Sequence, residues 1–325
     1  VPVSITVEGA NILTRNLIIF GQGAIRAHPY LLQEMNALSD TDKVKGLDTF
    51  DKTFWVHIVH SVTTLFRAWG RSWSGGAFAP APEDAGPVTD FYRQLSRYAS
   101  AFALCADMAL LTLGGKLKRK EMLSARFGDI LSELYLLSAV LKRWHDEGRQ
   151  EIDLPAVQWC MATGFRTIEQ RFADILANLP NRVVAIMLKI MIQPMGARGR
   201  GPSDKVVHAC AQLVLEPSVA RDRLTPDLSQ VDDDNSVARL EKAFLLVTAA
   251  EDVFRRMRAA HLHDTDAAIK QGVITPVEAE QYKAAHEAVL RVIEVDDFAP
   301  EALSPYKKSI SVQVVQERNE TRAAG

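Results

Sequence analysis

Residues 123–144, LSARFGDILSELYLLSAVLKRW, place Leu123, Phe127, Ile130, Leu134, Leu137 and Leu141 at alternating steps of four and three. Such steps return to one face of a 3.6-residue helix, while Arg126, Asp129, Glu133 and Lys142 fall on the other face. The stretch predicts an amphipathic helix with an unbroken apolar seam. The same spacing links Phe91, Leu95, Tyr98, Phe102 and Cys105. It links Met161, Phe165, Ile168, Phe172, Ile175 and Leu179, and then Val237, Leu240, Phe244 and Val247. These read as seams of a helical bundle. An earlier helix carries Phe50, Phe54, Ile58, Val62, Phe66, Trp69 and Trp73, and a late one runs from about Pro276 to Ile293. Strand signals are almost absent outside residues 1–7, so the expected fold class is all-α.

Breaks between helices are marked by residues that cannot continue one. The clearest is Ser74 to Pro87 (SGGAFAPAPEDAGP), followed by Gln193 to Pro202, Glu216 to Asn235 and Asp296 to Pro305. The first is expected to divide an opening helical part, residues 1–73, from a larger helical bundle, residues 88–325, with residues 74–87 as linker. No fixed-period repeat of solenoid type stands out.

The chain has 325 residues, 47% hydrophobic and 24% charged, with a net charge of -2. It is long and apolar enough for a sizeable core, and it lacks the basic field that nucleic acid would require. Small molecules, lipids and proteins remain as partners. Cys105, Cys160 and Cys210 lie far apart in apolar helical contexts, reading as reduced thiols of a cytoplasmic protein. No apolar run reaches the ~18 residues of a membrane span, since Lys189 interrupts Val183 to Ile192 and Asp107 interrupts Ala101 to Leu113. Residue 1 is valine and no signal sequence follows, so the chain is expected to be a piece of a longer protein.

At the start, Val3, Ile5 and Val7 alternate with Pro2, Ser4 and Thr6, suggesting a short extended approach that Glu8 ends. Gly9 frees the backbone at the next position, and a helix is expected from Asn11, with Asn11 as cap and Leu13, Leu17, Phe20 and Ala24 on one face. By spacing alone, Glu8 is a solvated acid near the positive end of that helix.

The wording around it suggests more. EGANILTRNLIIFG, residues 8–21, resembles the catalytic segment of the acyl-CoA dehydrogenase flavoproteins, with Glu8, Gly9, Arg15 and Ile18 matching its pattern. The continuation GQGAIRAHPY and the segment 123–144 are similar to the large bacterial acyl-CoA dehydrogenases of fatty-acid β-oxidation, which carry an added helical C-terminal domain. The resemblance implies that residues 1–73 end the catalytic domain and residues 88–325 form the extension. It implies an enzyme that oxidises medium- or long-chain acyl-CoA to trans-2-enoyl-CoA. Glu8 would be the base that removes the α-proton, and FAD would take the β-hydride. Gly9 would lie against the substrate thioester, and Ala10, Asn11 and Ile12 would approach the FAD. An electron-transferring flavoprotein as acceptor and a homodimer are implied as partners. The chain alone is expected to be inactive. Two departures bear on the pocket: Val7 stands for the usual aromatic residue, and Ala10 for the usual threonine. Arg15 reads as a structural salt bridge or a dimer contact.

Other motifs offer less chemistry. His57 and His60 lie one turn apart without an acidic partner at helical spacing, so no metal is expected there. His261, His263 and Asp264 alternate in direction. GARGRG, residues 196–201, lacks the ending of a phosphate loop and reads as a flexible basic loop. Val183 to Ile192 with Arg198 and Arg200, and the Trp-rich helix with Arg67 and Arg71, allow two readings: a peripheral contact with the inner membrane, or burial in the bundle. From another function class, the alternative is a non-enzymatic helical module that docks on a membrane or a partner protein.

Overall fold

The computed structural model describes residues 9–226 and 235–293. The extended approach expected at residues 1–7, Glu8 itself and the break at Asp296–Pro305 lie outside the described residues. Among the described residues there are helices and turns and no strand, which is the expected all-α class. The chain divides into two compact units, Val1–Leu213 and Val214–Gly325.

In the first unit the helices are α1 (Thr14–Gln22), α2 (Gly23–Ala27), α3 (Leu31–Leu38), α4 (Lys43–Trp73), α5 (Thr89–Leu113), α6 (Glu121–Asp146), α7 (Leu154–Asn178), α8 (Arg182–Ile192) and α9 (Asp204–Leu215). All six seam residues of α6 are buried, as are the six expected on α7. Each such side chain contributes roughly 1.5–3 kcal/mol on leaving water, so the α6–α7 seam and the face of α5 that joins it dominate the core. Phe20 of α1 stacks on Phe127 of α6 with ring centroids 4.4 Å apart, and the edge of Phe102 from α5 closes the cluster at 5.9 Å.

Close approach requires glycine at two points of α6 and α7. A Cβ on Gly128 would stand 3.0 Å from the carbonyl oxygen of Arg15, and one on Gly164 would stand 2.7 Å from Leu137 Cδ2. The first lets α1 lie flat on α6, and the second lets α7 do the same.

Three expectations change. Residues 9–13 are already helical, so Asn11 lies inside a helix and is not its cap, and Leu13 faces solvent. α1 continues them as a π-type helix, a form often found at functional sites. The stretch Gly86–Arg119 is long and apolar enough to cross a membrane by length and composition. Its helix α5 is instead a core helix, burying Tyr98, Ala101, Leu104, Cys105 and Ala109.

The apolar stripe of α4 is the third change. Asp42 caps this 31-residue helix by accepting from the Val44 and Lys45 amides. Toward the bundle it turns Thr64, Ala68 and Ser72, with Leu65 beside them, while Phe54, Ile58, Val62, Phe66, Trp69 and Trp73 face outward. Segment 74–87 does not separate the two compact units. Gln94 donates to the Gly75 carbonyl at 2.6 Å, and Trp73 Nε1 donates to the Ile190 carbonyl at 3.2 Å, holding both ends of α4's exit within the first unit.

The second unit holds α10 (Val219–Leu224), α11 (Ser236–Ala249), α12 (Glu251–Ala259), α13 (Thr265–Lys270) and α14 (Pro276–Ile293). α10 falls within the expected break at Glu216–Asn235. Its small core is Val253, Met257, Ala268, Ile274 and Ala279. Of the expected α11 seam, Val237 and Leu240 are exposed. Arg221 pairs with both oxygens of Glu241 and lies 4.2 Å from the centre of the Phe244 ring. Glu278 accepts from the Thr275 amide at 2.7 Å and from Arg256, forming a box at the start of α14.

The Glu278 carboxyl is held down to about 2 by the Thr275 amide first and by Arg256 second. A carboxyl lowered in the folded state stabilises the fold fully above its ordinary value of 4.5, and this contribution is lost as pH falls toward about 2. Glu278→Gln should therefore lower stability at pH 7 and flatten its dependence between these values, checked by urea unfolding across pH. Gly128→Val should destabilise the first unit by about 1–3 kcal/mol through overpacking against α1, read from denaturant melts.

Candidate functional site

Glu8 lies outside the described residues, but the segment that follows it does not. Gly9, Ala10, Asn11 and Ile12 form an exposed helical turn, and a Cβ on Gly9 would meet nothing within 4 Å. What fixes this turn to the bundle is Arg15. Its Nε and Nη2 donate to the two oxygens of Asp129 on α6 at 2.6 and 2.7 Å. Arg171 Nε of α7 stands 2.7 Å from the same carboxylate, so Asp129 joins α1, α6 and α7. The hydrogen bond to Asp129 holds the Arg15 guanidinium above its ordinary pKa, against partial burial. Arg15 is half-exposed, so the pair contributes at most about 1 kcal/mol to stability. Its value is the geometry it imposes. The structural salt bridge expected of Arg15 is what the side chain makes.

A cleft of about 250 Å³ opens beside this pair, lined by Arg15, Asn16, Met122, Arg126, Arg171 and Asp174. A second, of about 290 Å³, lies between α7 and α8 near Arg182, Ile186, Lys189 and Gln193. Neither is lined by Gly9, Ala10, Asn11 or Ile12.

The histidines find partners that sequence spacing could not reveal. His57 Nδ1 lies 2.8 Å from Glu34 Oε1 of α3, and His28 Nε2 lies 3.4 Å from Asp107 Oδ1 of α5. The His28 and His57 rings are 4.7 Å apart, and His60 packs against Tyr30. Burial, more than its neighbours, pushes His60 below its ordinary pKa. Among the described residues no group of three His, Cys, Asp or Glu is arranged to hold a metal. In the second unit, Asp264 caps α13 by accepting from the Asp266 and Ala267 amides, which is its role in the HLHD stretch.

Cys105, Cys160 and Cys210 are free, and burial raises the pKa of all three thiols. That disfavours the thiolate a nucleophile needs.

A buried polar cluster went unread in the sequence. Glu169 of α7 is 1% exposed; it accepts from the Tyr98 hydroxyl at 2.7 Å and from the Gly199 amide, with Arg97 Nη1 3.9 Å away. Arg97 in turn donates to Gln94 at 3.0 Å. The GARGRG loop is therefore anchored on α7 rather than free, which corrects its reading as a flexible loop. Burial, beside this carboxylate, raises the Tyr98 pKa well above the usual phenol range. The signal was present: Glu169 sits four residues after Phe165, on the apolar face of α7.

Glu169→Ala should cost about 3–5 kcal/mol, because it leaves the Tyr98 hydroxyl and the Gly199 amide without their acceptor and the buried Arg97 guanidinium without its counter-charge. Denaturant unfolding measures the loss, and faster proteolysis within residues 193–203 should accompany it.

Comparison with known families follows from this helical architecture. No solved structure matches the chain. The family described as acyl-CoA dehydrogenase, C-terminal, bacterial type, matches residues 25–298. The matched region includes α4 and residues 74–87 together with the helices after them, and residues 8–12 precede it. The chain thus belongs to the bacterial-type C-terminal family of the acyl-CoA dehydrogenases.

Proposed function

We propose that this chain serves in a FAD-dependent acyl-CoA dehydrogenase that converts medium- or long-chain acyl-CoA to trans-2-enoyl-CoA in fatty-acid β-oxidation. The observation that carries the proposal is the family match over residues 25–298, directly downstream of E-G-A-N-I-L-T-R at residues 8–15. In this reading residues 1–73 complete the catalytic domain, and residues beyond 87 form its helical extension.

Glu8 is the base: its carboxylate takes the α-proton of the thioester. That proton is weakly acidic, so the base gains from an apolar, water-poor setting that raises its pKa toward the working pH. Val7 and Ile5, its apolar neighbours in sequence, and the acyl chain would supply that setting. Gly9, whose missing side chain leaves open space, lets the thioester approach the backbone. Ala10, Asn11 and Ile12 fit one edge of a flavin site, since the turn is exposed and carries no charged side chain to exclude a planar ring. FAD supplies the acceptor for the β-hydride, and the protein supplies orientation. The Arg15–Asp129 pair then acts by positioning, holding the turn at a fixed distance from α6.

An electron-transferring flavoprotein as electron acceptor and a cytoplasmic location, with or without peripheral membrane contact, belong to the same proposal. Glu8→Gln in the full-length protein tests its centre. Flavin absorbance should be retained while bleaching by a long-chain acyl-CoA falls by several orders of magnitude. Bleaching at the wild-type rate would move the base to another residue.

A further inference from the structure

α9 leaves the bundle through a loop that is fastened to α7. The Gly199 amide donates to Glu169, and a Cβ on Gly199 would stand 3.0 Å from Arg166 Cα. Gly201 follows against the Arg166 side chain. Beyond this anchor α9 turns one side toward the protein: Val206, Ala209, Cys210 and Leu213, at helical steps, are half-buried or buried, while Lys205, Val207, His208 and Val214 are exposed. α7 carries a half-buried stripe beside its seam, made of Ala156, Cys160, Thr163 and Thr167.

The register of the two helices brings their cysteines together. Cys160 lies six residues before Arg166, and Cys210 lies six residues after Asp204, where α9 begins. Six residues of helix rise about 9 Å. A helix that runs back along α7 from an anchor at Arg166 therefore sets Cys210 level with Cys160. The electrostatics agree, since charge on Cys210 opposes charge on Cys160. Both thiols are free and neither is fully buried, whereas Cys105 is 1% exposed on α5. Leu213 is the one fully buried residue of α9, so the helix can make the small adjustment that disulfide geometry demands with little loss of packing.

We propose that Cys160 and Cys210 are a dithiol that hydrogen peroxide converts reversibly to a disulfide, and that this bond clamps α9 to α7. One thiolate attacks a peroxide oxygen, breaking the O–O bond, releasing hydroxide and leaving a sulfenic acid. The second thiolate attacks that sulfur, forming the S–S bond and releasing a second hydroxide. Two electrons pass from the sulfurs to peroxide, and the two thiol protons turn the hydroxides into water. The bond closes a loop of about 50 residues that contains α8 and the GARGRG stretch. Burial first, and Cys210 second, hold the Cys160 thiol above its ordinary pKa of 9.0, and burial does the same to Cys210. Thiolate is therefore scarce at pH 7, and the oxidation is slow there and steeply dependent on pH. The inference concerns this pair alone and stands whether or not Glu8 is the base.

The test treats the full-length protein with hydrogen peroxide, blocks the remaining thiols by alkylation and maps its peptides without reductant by mass spectrometry. The wild type should yield a Cys160–Cys210 linked peptide that dithiothreitol separates, formed about tenfold faster at pH 8 than at pH 7. Oxidation should raise the melting midpoint by about 5–10 °C and slow tryptic cleavage after Arg198 and Arg200. Cys160→Ser and Cys210→Ser should each melt like the reduced wild type and show neither change on oxidation. Sulfinic acid at either thiol without the linked peptide overturns the proposal, as does a link that joins two copies when isotope-labelled and unlabelled protein are mixed. A link within one chain that leaves melting and cleavage unchanged overturns the clamp.

Discussion

The buried seam of α6 is the constraint on which the first unit depends. Leu123, Phe127, Ile130, Leu134, Leu137 and Leu141 form a continuous apolar edge that α7 meets along its own seam and α1 meets through Phe20. Both approaches need a helix axis unusually near, which Gly128 and Gly164 permit. On the opposite edge of α6, Asp129 accepts from Arg15 and stands against Arg171, so the same helix also sets the register of its neighbours electrostatically. Burial provides the energy, and the carboxylate provides the alignment.

This arrangement connects the fold to its proposed chemistry. The turn at residues 9–12 has little holding it locally: its side chains are exposed. Its position is inherited from Arg15 and Phe20 further along the same helical run. Both anchors lie within the π-type stretch of α1, which runs on into α2. A rigid bundle thereby presents an unobstructed glycine at its surface, a setting suited to a residue that must meet a substrate and a cofactor held elsewhere.

Polar groups inside the unit follow a second logic. Glu169, Arg97 and Tyr98 are buried, and each finds a partner, as groups removed from water must. Their partners come from α5, α7 and the loop after α8. Apart from Arg97 with Gln94, one turn apart on α5, these pairings could not be read from one-dimensional spacing, although a glutamate on the apolar face of α7 signalled that something unusual was buried there. The histidines teach the same lesson. His57 and His60 have no acidic neighbour on α4, and His57 takes its partner from α3.

Helix identity was legible in the sequence because it depends on local periodicity: the seams of α6 and α7 and the bounds of α14 are where the spacing put them. The family was also legible, as a resemblance, and the match over residues 25–298 bears it out. Which face of a helix would be covered was not. α6 and α4 carry equally regular apolar stripes, yet α6 buries its stripe while α4 packs through Thr64, Ala68 and Ser72 and leaves the aromatic face outside. Periodicity fixes that a face is apolar, but burial depends on which neighbour reaches it, and that is decided only when the helices are assembled.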